Sequence, residues 1–395
     1  GNITGASNTA IGFYALSVNT ASNNTAVGYH SLLQNTTGTQ NTAVGGCSLN
    51  ANTSGANNVA IGVQALDSNT TANENVAVGR CSLFSNTEGT KNIAIGSYSL
   101  DTNSTGDSNI AIGYQALDAN ITADNNVAIG DSALKANTTG ASNTALGTVA
   151  LLKNTTGVEN VAIGQSALCS NTTTGGNVAI GYNSQYLAVG GLTNVSIGPS
   201  SFTAALTGAD NTGVGPAVGI SLTSGSNNLL LGHDAGRTGS PGGSISTVSN
   251  RIVLGDENIT AANIQVDWSV ASDQRDKTDF NNLDLGLDFV NKLNPVTYKW
   301  DKRSKYNKDL SVTPTGKYKQ DFLDIGFKAQ EVEALEIEAG YNKNNKTNLT
   351  VNVSENGKQY SMQYAKFVPV LVNAIKELKT QNDNLITRIE TLESK

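Results

Sequence analysis

The fold is decided by a short block that recurs along the chain, for example Asn126-Val127-Ala128-Ile129-Gly130. In most units a second apolar stretch follows, such as Ser132-Ala133-Leu134, and then a turn sequence, such as Asn137-Thr138-Thr139-Gly140. Successive blocks begin 17 residues apart after a first step of 16, at Asn8, Asn24, Asn41, Asn58, Asn75, Asn92, Asn109, Asn126, Asn143, Asn160, Asn177, Asn194, Asn211 and Asn228. A fixed period of this length predicts a solenoid with one coil for each repeat.

The composition of the repeat favours strands over helices. Its apolar runs are short and β-branched, and they are interrupted by Gly and Asn, which are poor residues for a helix interior. Two strands of about five residues and two turns would fill a coil of this length. Stacked coils would also place identical Asn and Thr side chains in register, where they form hydrogen-bonded ladders.

The core of the repeat is expected to be thin, because mainly Ala, Val, Ile and Leu recur and aromatic residues are few. A coil by itself would then bury too little apolar area, which favours three chains that share one core. The block is similar to the Asn-x-Val-Ala-Ile-Gly repeats of trimeric autotransporter adhesin heads, which are trimers of parallel β-rolls. We therefore predict a mainly β fold in which a trimeric parallel β-solenoid precedes an α/β domain.

Charge changes abruptly along the chain. Residues 1–268 hold 14 acidic and 6 basic residues, whereas residues 269–395 hold 18 and 19. Two regions of different construction are therefore joined end to end. The sequence has no basic stripe and no long apolar run, so neither nucleic-acid binding nor membrane insertion is expected.

Composition divides the chain into a repeat solenoid at 1–234, a loop with a closing β element at 235–271, and an α/β domain at 272–395. In the middle segment, residues 251–255 predict a last, degenerate strand of the stack. Residues 263–270, which include Trp268, alternate apolar and polar side chains and predict the closing β element.

The last segment ends in a heptad pattern at about residues 366–393. Its a positions are Val368, Ile375, Asn382 and Ile389, and its d positions are Leu371, Leu378, Leu385 and Leu392. Leucine at every d position predicts a trimerising coiled-coil helix, and the polar Asn382 is expected to fix register and partner number. A single amphipathic helix packed onto its own domain is the alternative.

The junction between the two regions carries Ser272-Asp273-Gln274-Arg275-Asp276-Lys277. Lysine acts as general base for a serine hydroxyl only if its pKa falls well below the ordinary value of about 10.4. A partly buried loop at a domain border would supply that desolvation. An exposed charged linker is the alternative interpretation of the same residues.

Three runs downstream of the junction, at residues 286–300, 325–332 and 364–378, carry a family resemblance. In order and spacing they closely resemble the C-terminal intramolecular chaperone domain of phage tail spikes and fibres, the endosialidase type. The resemblance covers about residues 269–395. It implies a domain that drives trimerisation and folding of the fibre before it and then releases itself.

On this resemblance the chain cuts itself between Ala271 and Ser272, with Ser272 as nucleophile and Lys277 as base. Asp273 and Arg275 would orient the loop or tune the lysine, and solvated charges are the alternative for both. The activity implied is that of a single-turnover serine autopeptidase that turns over no external substrate.

Three functions fit these observations. The favoured one is a structural, receptor-binding tail fibre of a virion, a homotrimer that contacts other tail proteins and a host surface glycan or protein. The second is a tail spike that also degrades polysaccharide, and the third is an ice-binding or bacterial surface β-solenoid adhesin. The acid-poor repeat disfavours the second, and a single-chain solenoid would need no trimerising domain.

Other candidate sites are weaker. Asp67, Asp101 and Asp118 share one repeat position and are expected to be stacked surface charges rather than a glycosidase pair. His30 and His233 have no companions at metal-ligand spacing, so neither a metal nor a cofactor is expected.

Overall fold

The structure is a computed structural model that describes residues 4–204, 206–265, 269–307, 310–342, 344, 347, 349–354 and 357–394. It divides the chain into two compact units, Gly1–Arg237 with Ile245–Gly255, and Thr238–Ser244 with Asp256–Lys395. The first unit is a parallel β-solenoid and the second is a smaller unit of helices and short strands, so the predicted mainly β architecture is confirmed.

The solenoid contains one parallel sheet of fifteen strands arranged in chain order. Its strands are β1 Thr9–Ile11, β2 Thr25–Val27, β3 Thr42–Val44, β4 Val59–Ile61, β5 Val76–Val78, β6 Ile93–Ile95, β7 Ile110–Ile112, β8 Val127–Ile129, β9 Thr144–Leu146, β10 Val161–Ile163, β11 Val178–Ile180, β12 Val195–Ile197, β13 Thr212–Val214, β14 Leu229–Leu231 and β15 Ile252–Leu254. Neighbouring strands pair in the register of the repeat, for example Val127 with Thr144. Leu229 pairs with Ile252 across a longer connection, which confirms the last, degenerate strand.

Each coil has one strand rather than the two that we predicted. The second apolar stretch is a turn, because Ser132 (φ 54°) and Leu134 (φ 51°) both adopt the left-handed conformation. Gly130 (φ 136°) ends the strand in a conformation that only glycine adopts readily, and a Cβ there would lie 2.7 Å from the backbone of Gly147. The left-handed residues turn Leu134 into the core, where its burial stabilises by roughly 2 kcal/mol and offsets part of the backbone strain.

The core of the solenoid lies inside a single chain. The middle residue of a strand points inward, as Ala128 does, and it packs with Ala133 and Leu134 from the turn of the same coil. All three side chains are fully buried. The expectation that three chains must share one thin core is therefore wrong, because the turn adds a large buried leucine that a two-strand coil would lack.

Two ladders of buried asparagines join the coils, as predicted. The Asn143 backbone N–H donates to Asn126 Oδ1 at 2.9 Å, and Asn126 Nδ2 donates to the Gly140 carbonyl at 2.9 Å. In the second ladder, Asn137 Nδ2 donates to Asn120 Oδ1 at 3.1 Å and to the same Gly140 carbonyl at 2.9 Å. Both ladders are internal, so the side chains replace the water that buried backbone groups would otherwise need.

The second unit mixes helices and strands, as predicted. Its elements are α1 Leu287–Lys292, β16 Val296–Tyr298, β17 Asp324–Gly326, α2 Ala329–Glu338, β18 Val351–Val353, β19 Tyr360–Met362 and α3 Phe367–Glu393. β16 pairs with β17 and β18 pairs with β19, both antiparallel. The core comprises Leu285, Phe289, Val332, Val351, Phe367 and Val370.

The predicted closing β element at 263–270 is not observed in the part of that range that the structure describes. Residues 263–265 and 269–270 belong to no strand and are exposed, while Trp268 lies outside the described residues. Alternating apolar and polar side chains form a strand only where one face is covered, and exposed residues have no such cover.

Candidate active site

The junction hexapeptide folds into a tight turn. Residues Gln274–Asp276 form one turn of 3-10 helix, and Asp273 caps it by accepting the Arg275 backbone N–H at Oδ1 over 2.9 Å. The Lys277 backbone N–H donates to the Gln274 carbonyl at 3.2 Å, which ends the turn. The chain is therefore folded back between Ser272 and Lys277, two residues that an extended segment would hold far apart.

The turn brings the predicted nucleophile and base into contact. Lys277 Nζ donates to Ser272 Oγ at 2.6 Å and lies 3.4 Å from the Ser272 carbonyl oxygen. A nucleophile and a base within about 2.6–3.2 Å of each other is the arrangement that proton abstraction requires. The Ser272 hydroxyl is one residue downstream of the Ala271 carbonyl carbon, the group it would attack.

The two charged residues between Ser272 and Lys277 pair with each other. Asp273 accepts hydrogen bonds from the Arg275 guanidinium at both carboxylate oxygens, the shortest at 2.6 Å from Nη2. These bonds lower the pKa of the Asp273 carboxyl and raise that of the Arg275 guanidinium. Of the two supporting functions that the sequence left open, the hydrogen bonds favour shaping of the turn.

The site differs from the sequence expectation in its exposure. Every residue from Ala271 to Phe280 is exposed, whereas a partly buried loop was predicted. The reason is that the described residues on both sides of the turn contribute no helix or strand that could cover it. The contact between amine and hydroxyl is thus formed within one chain, but desolvation of the lysine is not.

Helix α3 is anchored to the segment that follows the turn. Asn373 Nδ2 donates to the carbonyls of Leu283 and Leu285 at 3.1 and 3.0 Å. Glu377 Oε2 accepts the Leu287 backbone N–H at 2.7 Å, and a Cβ on Gly286 would lie 1.9 Å from the same carboxylate. The start of α1 is therefore fitted closely around these two side chains of α3.

Asn373 and Glu377 were not predicted from the sequence. Their signal is present in the chain, because the two lie four residues apart on the helix face that also carries the buried Val370 and Ala374. The a and d positions of the heptads lie on a different face of the same helix, so the heptad pattern does not point to these two residues.

The heptad stripe of α3 does not pack against the described residues of its own unit. The residues buried on α3 are Phe367, Val370 and Ala374. The stripe is exposed along its whole length, at Val368, Leu371, Ile375, Leu378, Asn382, Leu385, Ile389 and Leu392. α3 packs onto its own unit through Phe367, Val370 and Ala374, as the alternative has it, but the heptad stripe takes no part in that packing.

Asp67, Asp101 and Asp118 form an acidic column along the repeat. All three residues are half-buried, whereas we expected surface charges. Burial raises the pKa of the carboxyl groups of Asp67, Asp101 and Asp118, and the charge of Asp118 raises that of Asp101 further. One oxygen of Asp67 and one of Asp101 are buried without a hydrogen-bond partner. These buried, unpartnered oxygens lower the stability of the stack.

The fold and the site define a class of protein, a parallel β-solenoid followed by a separate unit that carries a serine–lysine pair. Residues 272–341 match the model of the peptidase S74 family, described as chaperone of endosialidase. That family is an autoproteolytic chaperone domain associated with phage tails, and the match begins at Ser272. No curated protein and no solved structure matches the chain significantly. No helix in the described part of the chain combines the length and apolarity needed to cross a membrane.

Proposed function

We propose that the chain is a homotrimeric phage tail fibre or spike that carries structural and receptor-binding functions in the virion. Its residues 272–395 act as an intramolecular chaperone for trimerisation and then release themselves by cutting the Ala271–Ser272 bond. The observation that carries the proposal is the 2.6 Å contact between Lys277 Nζ and Ser272 Oγ, at the residue where the family match begins.

The cut proceeds by an acyl shift from nitrogen to oxygen. Lys277, as the neutral amine, takes the Ser272 hydroxyl proton while Oγ attacks the Ala271 carbonyl carbon through a five-membered ring. The bond from that carbon to the Ser272 nitrogen breaks, and Lys277 returns the proton to the departing amine. Water then hydrolyses the ester, which leaves a carboxylate on Ala271 and free amine and hydroxyl groups on Ser272.

Trimerisation supplies the desolvation of Lys277 that the single chain lacks. A row of exposed leucines and β-branched residues along α3 is stabilised when equivalent helices pack together. A neighbouring chain then covers the turn and removes water from Lys277, so that cutting follows assembly. The fibre attaches to other tail proteins and, through its surface, to a glycan or protein of the host.

Mass spectrometry of freshly expressed protein tests the cut. We expect fragments 1–271 and 272–395 from the natural chain and an intact chain from Ser272→Ala. Lys277→Arg keeps the positive charge but cannot act as base, so it should also stay intact. Lys319→Ala, which removes another exposed lysine of the same unit, should still be cut.

Hydroxylamine separates self-cleavage from a contaminating protease. It intercepts an ester, so Ala271 should end as a hydroxamate when the natural chain is incubated with it. A carboxylate alone on Ala271 under these conditions, or an intact natural chain after prolonged incubation of the assembled protein, would overturn the proposed cut.

Changes in α3 test the link to assembly. Leu378→Asp with Leu385→Asp places charges in the stripe and should lower the trimer fraction and the cleavage rate together. Deleting residues 272–395 from the gene should yield aggregated repeat, because parallel strands pair slowly and expose unpaired edges. Normal cleavage by a monomeric variant, or a soluble trimeric repeat made without residues 272–395, would count against the chaperone function.

A further inference from the structure

The second unit contains two stretches of chain that lie upstream of the proposed cut. The unit comprises Thr238–Ser244 and Asp256–Lys395, whereas the cut falls between Ala271 and Ser272. The boundary of the folded unit and the position of the cut therefore do not coincide. Cutting would break the chain inside a compact unit, and residues 238–244 and 256–271 would stay with the upstream product.

The first of these stretches lies in an insertion between β14 and β15. Equivalent positions of neighbouring coils are 17 residues apart, as Asn211 and Asn228 are, but Asn228 and its partner Arg251 are 23 residues apart. This connection therefore has six more residues than the repeat requires. Residues 238–244 of the connection belong to the second unit, so their packing partners lie in that unit.

The insertion is fitted closely to the end of β18 and the start of β19. A Cβ added to Gly243 (φ 85°) would lie 2.9 Å from Ser354 Cβ and 2.6 Å from Gln359 Oε1. A Cβ added to Gly242 (φ 80°) would have no atom of the described residues within 4 Å. Of two adjacent glycines with the same backbone conformation, only Gly243 is thus packed against residues downstream of the cut.

Two lysines downstream of the cut bind the second stretch. Lys302 Nζ donates to the Glu257 carbonyl oxygen at 2.5 Å, and Lys305 Nζ donates to Asn258 Oδ1. Hydrogen bonds from an ammonium group are about twice as strong as those between neutral groups. Each upstream stretch is therefore joined to the downstream part of the second unit by contacts that do not depend on an intact chain.

We propose that residues 238–244 and 256–258 hold the fragment 272–395 after the cut, so that release is a separate, second step. This inference rests on the proposed function, because it concerns the two products of that cut. The described residues between Asn258 and Ser272 are exposed and form no helix or strand, so they act as a tether. Cutting removes the tether and its effective concentration but leaves the contacts in place. In a trimer, three sets of these contacts act together and slow the release further.

A cut made on demand tests retention without relying on self-cleavage. The site of a specific protease is inserted after Ala262 in the full chain carrying Ser272→Ala, with an affinity tag ahead of residue 1. The protein is immobilised and cut, and release of the C-terminal fragment into buffer is followed on denaturing gels. We expect the fragment to stay bound after the cut. Lys302→Ala with Lys305→Ala removes both ammonium donors and should speed release roughly tenfold.

Matched variants control for charge and for folding. Lys317→Ala with Lys319→Ala removes the same charge from exposed positions of the same unit and should leave the release rate unchanged. Gly243→Ala should speed release, whereas Gly242→Ala should not, although both add a Cβ at a positive φ. Gly243→Ala changes no residue of fragment 272–395, so faster release from this variant would not result from a misfolded fragment.

The remaining outcomes also decide. Immediate separation of the two products would overturn retention, and equal release rates from all the variants would overturn these contacts as its cause. Neither outcome bears on self-cleavage, because the added protease makes the cut. Retention after the protease cut, together with a natural chain that never cuts itself, would support the contacts and overturn the proposed self-cleavage.

Discussion

The two units of this chain reach stability by different routes. In the solenoid every coil contacts the next through the same residues, and bonds such as Asn143 to Asn126 span 17 positions. In the second unit a few unique contacts join distant segments, such as Leu287 to Glu377, which are 90 positions apart. Repetition gives a stack that extends easily but leaves its alignment with another stack undefined. Unique packing defines one arrangement, which suits the unit that would align the chains.

The largest expected effect follows from breaking an internal ladder. Asn126→Ala leaves the buried Asn143 N–H without its acceptor and removes a donor from the Gly140 carbonyl. We expect a loss of roughly 2–4 kcal/mol, because the unsatisfied Asn143 N–H costs about 1–3 kcal/mol and the lost hydrogen bond to Gly140, which keeps its Asn137 donor, costs about 1 kcal/mol more. Hydrogen exchange at the Asn143 amide should accelerate accordingly, whereas Thr139→Ala, at an exposed position of the same coil, should leave it unchanged.

The second prediction tests whether this coil accepts the alanine that most other coils carry at the middle of the strand. Phe202 is fully buried, and a Cβ on Gly213 would lie 2.6 Å from its ring. Gly213→Ala restores the alanine found at the middle of most strands, yet it should destabilise by about 1–3 kcal/mol through overpacking. Adding Phe202→Leu, which gives the residue found at this position in earlier coils such as those of Leu151 and Leu168, should restore the melting temperature. Additive effects of the two changes would refute the coupling.

A smaller effect, confined to the second unit, is expected at Asn373. Asn373→Ala removes the donors to the carbonyls of Leu283 and Leu285 and should cost about 1–2 kcal/mol. Calorimetry should show a lower transition temperature for this unit and an unchanged transition temperature for the solenoid. Asn384→Ala, an exposed change on the same helix, is the control, and an equal shift from it would show that Asn373 anchors nothing.

The smallest expected effect is the pH dependence of stability, and its sign differs between the two units. Burial raises the pKa of Asp101, so the folded solenoid binds a proton more tightly than the unfolded chain, for which the value is about 3.9. Stability from this group therefore rises as pH falls through the window just above 3.9. Arg275 lowers the pKa of Asp273, so that carboxylate supports its turn above 3.9 and stops doing so at lower pH.

The Asp101→Asn variant tests the sign of the pH dependence that Asp101 contributes to the stability of the solenoid. The variant should melt slightly higher than the natural chain at pH 7, and the difference should shrink as the pH approaches 4. A natural chain whose solenoid becomes less stable over the same range, with no change in the variant, would show that the carboxylate stabilises the stack.

Much of the fold could be predicted from the sequence because the same local pattern recurs in repeat after repeat. The 17-residue period, the parallel stack and the asparagine ladders all follow from residues such as Asn126 and their spacing. The pair Ser272 and Lys277 also came from the sequence, through its position and the family resemblance. The heptads predicted a helix at the end, which α3 confirms.

Backbone conformation decided two features that the sequence did not reveal, the core of each coil and the contact between Lys277 and Ser272. The apolar stretch ending in Leu134 is predicted to be a strand, but left-handed residues turn it inward, and this gives each chain its own core. Periodicity cannot reveal that turn, because burial of the leucine favours it only once the coil is closed. Likewise, the 3-10 turn places Lys277 against Ser272, while the exposure of both depends on what packs over them. Residue types and spacing are properties of the chain, whereas burial is a property of the neighbours that folding brings.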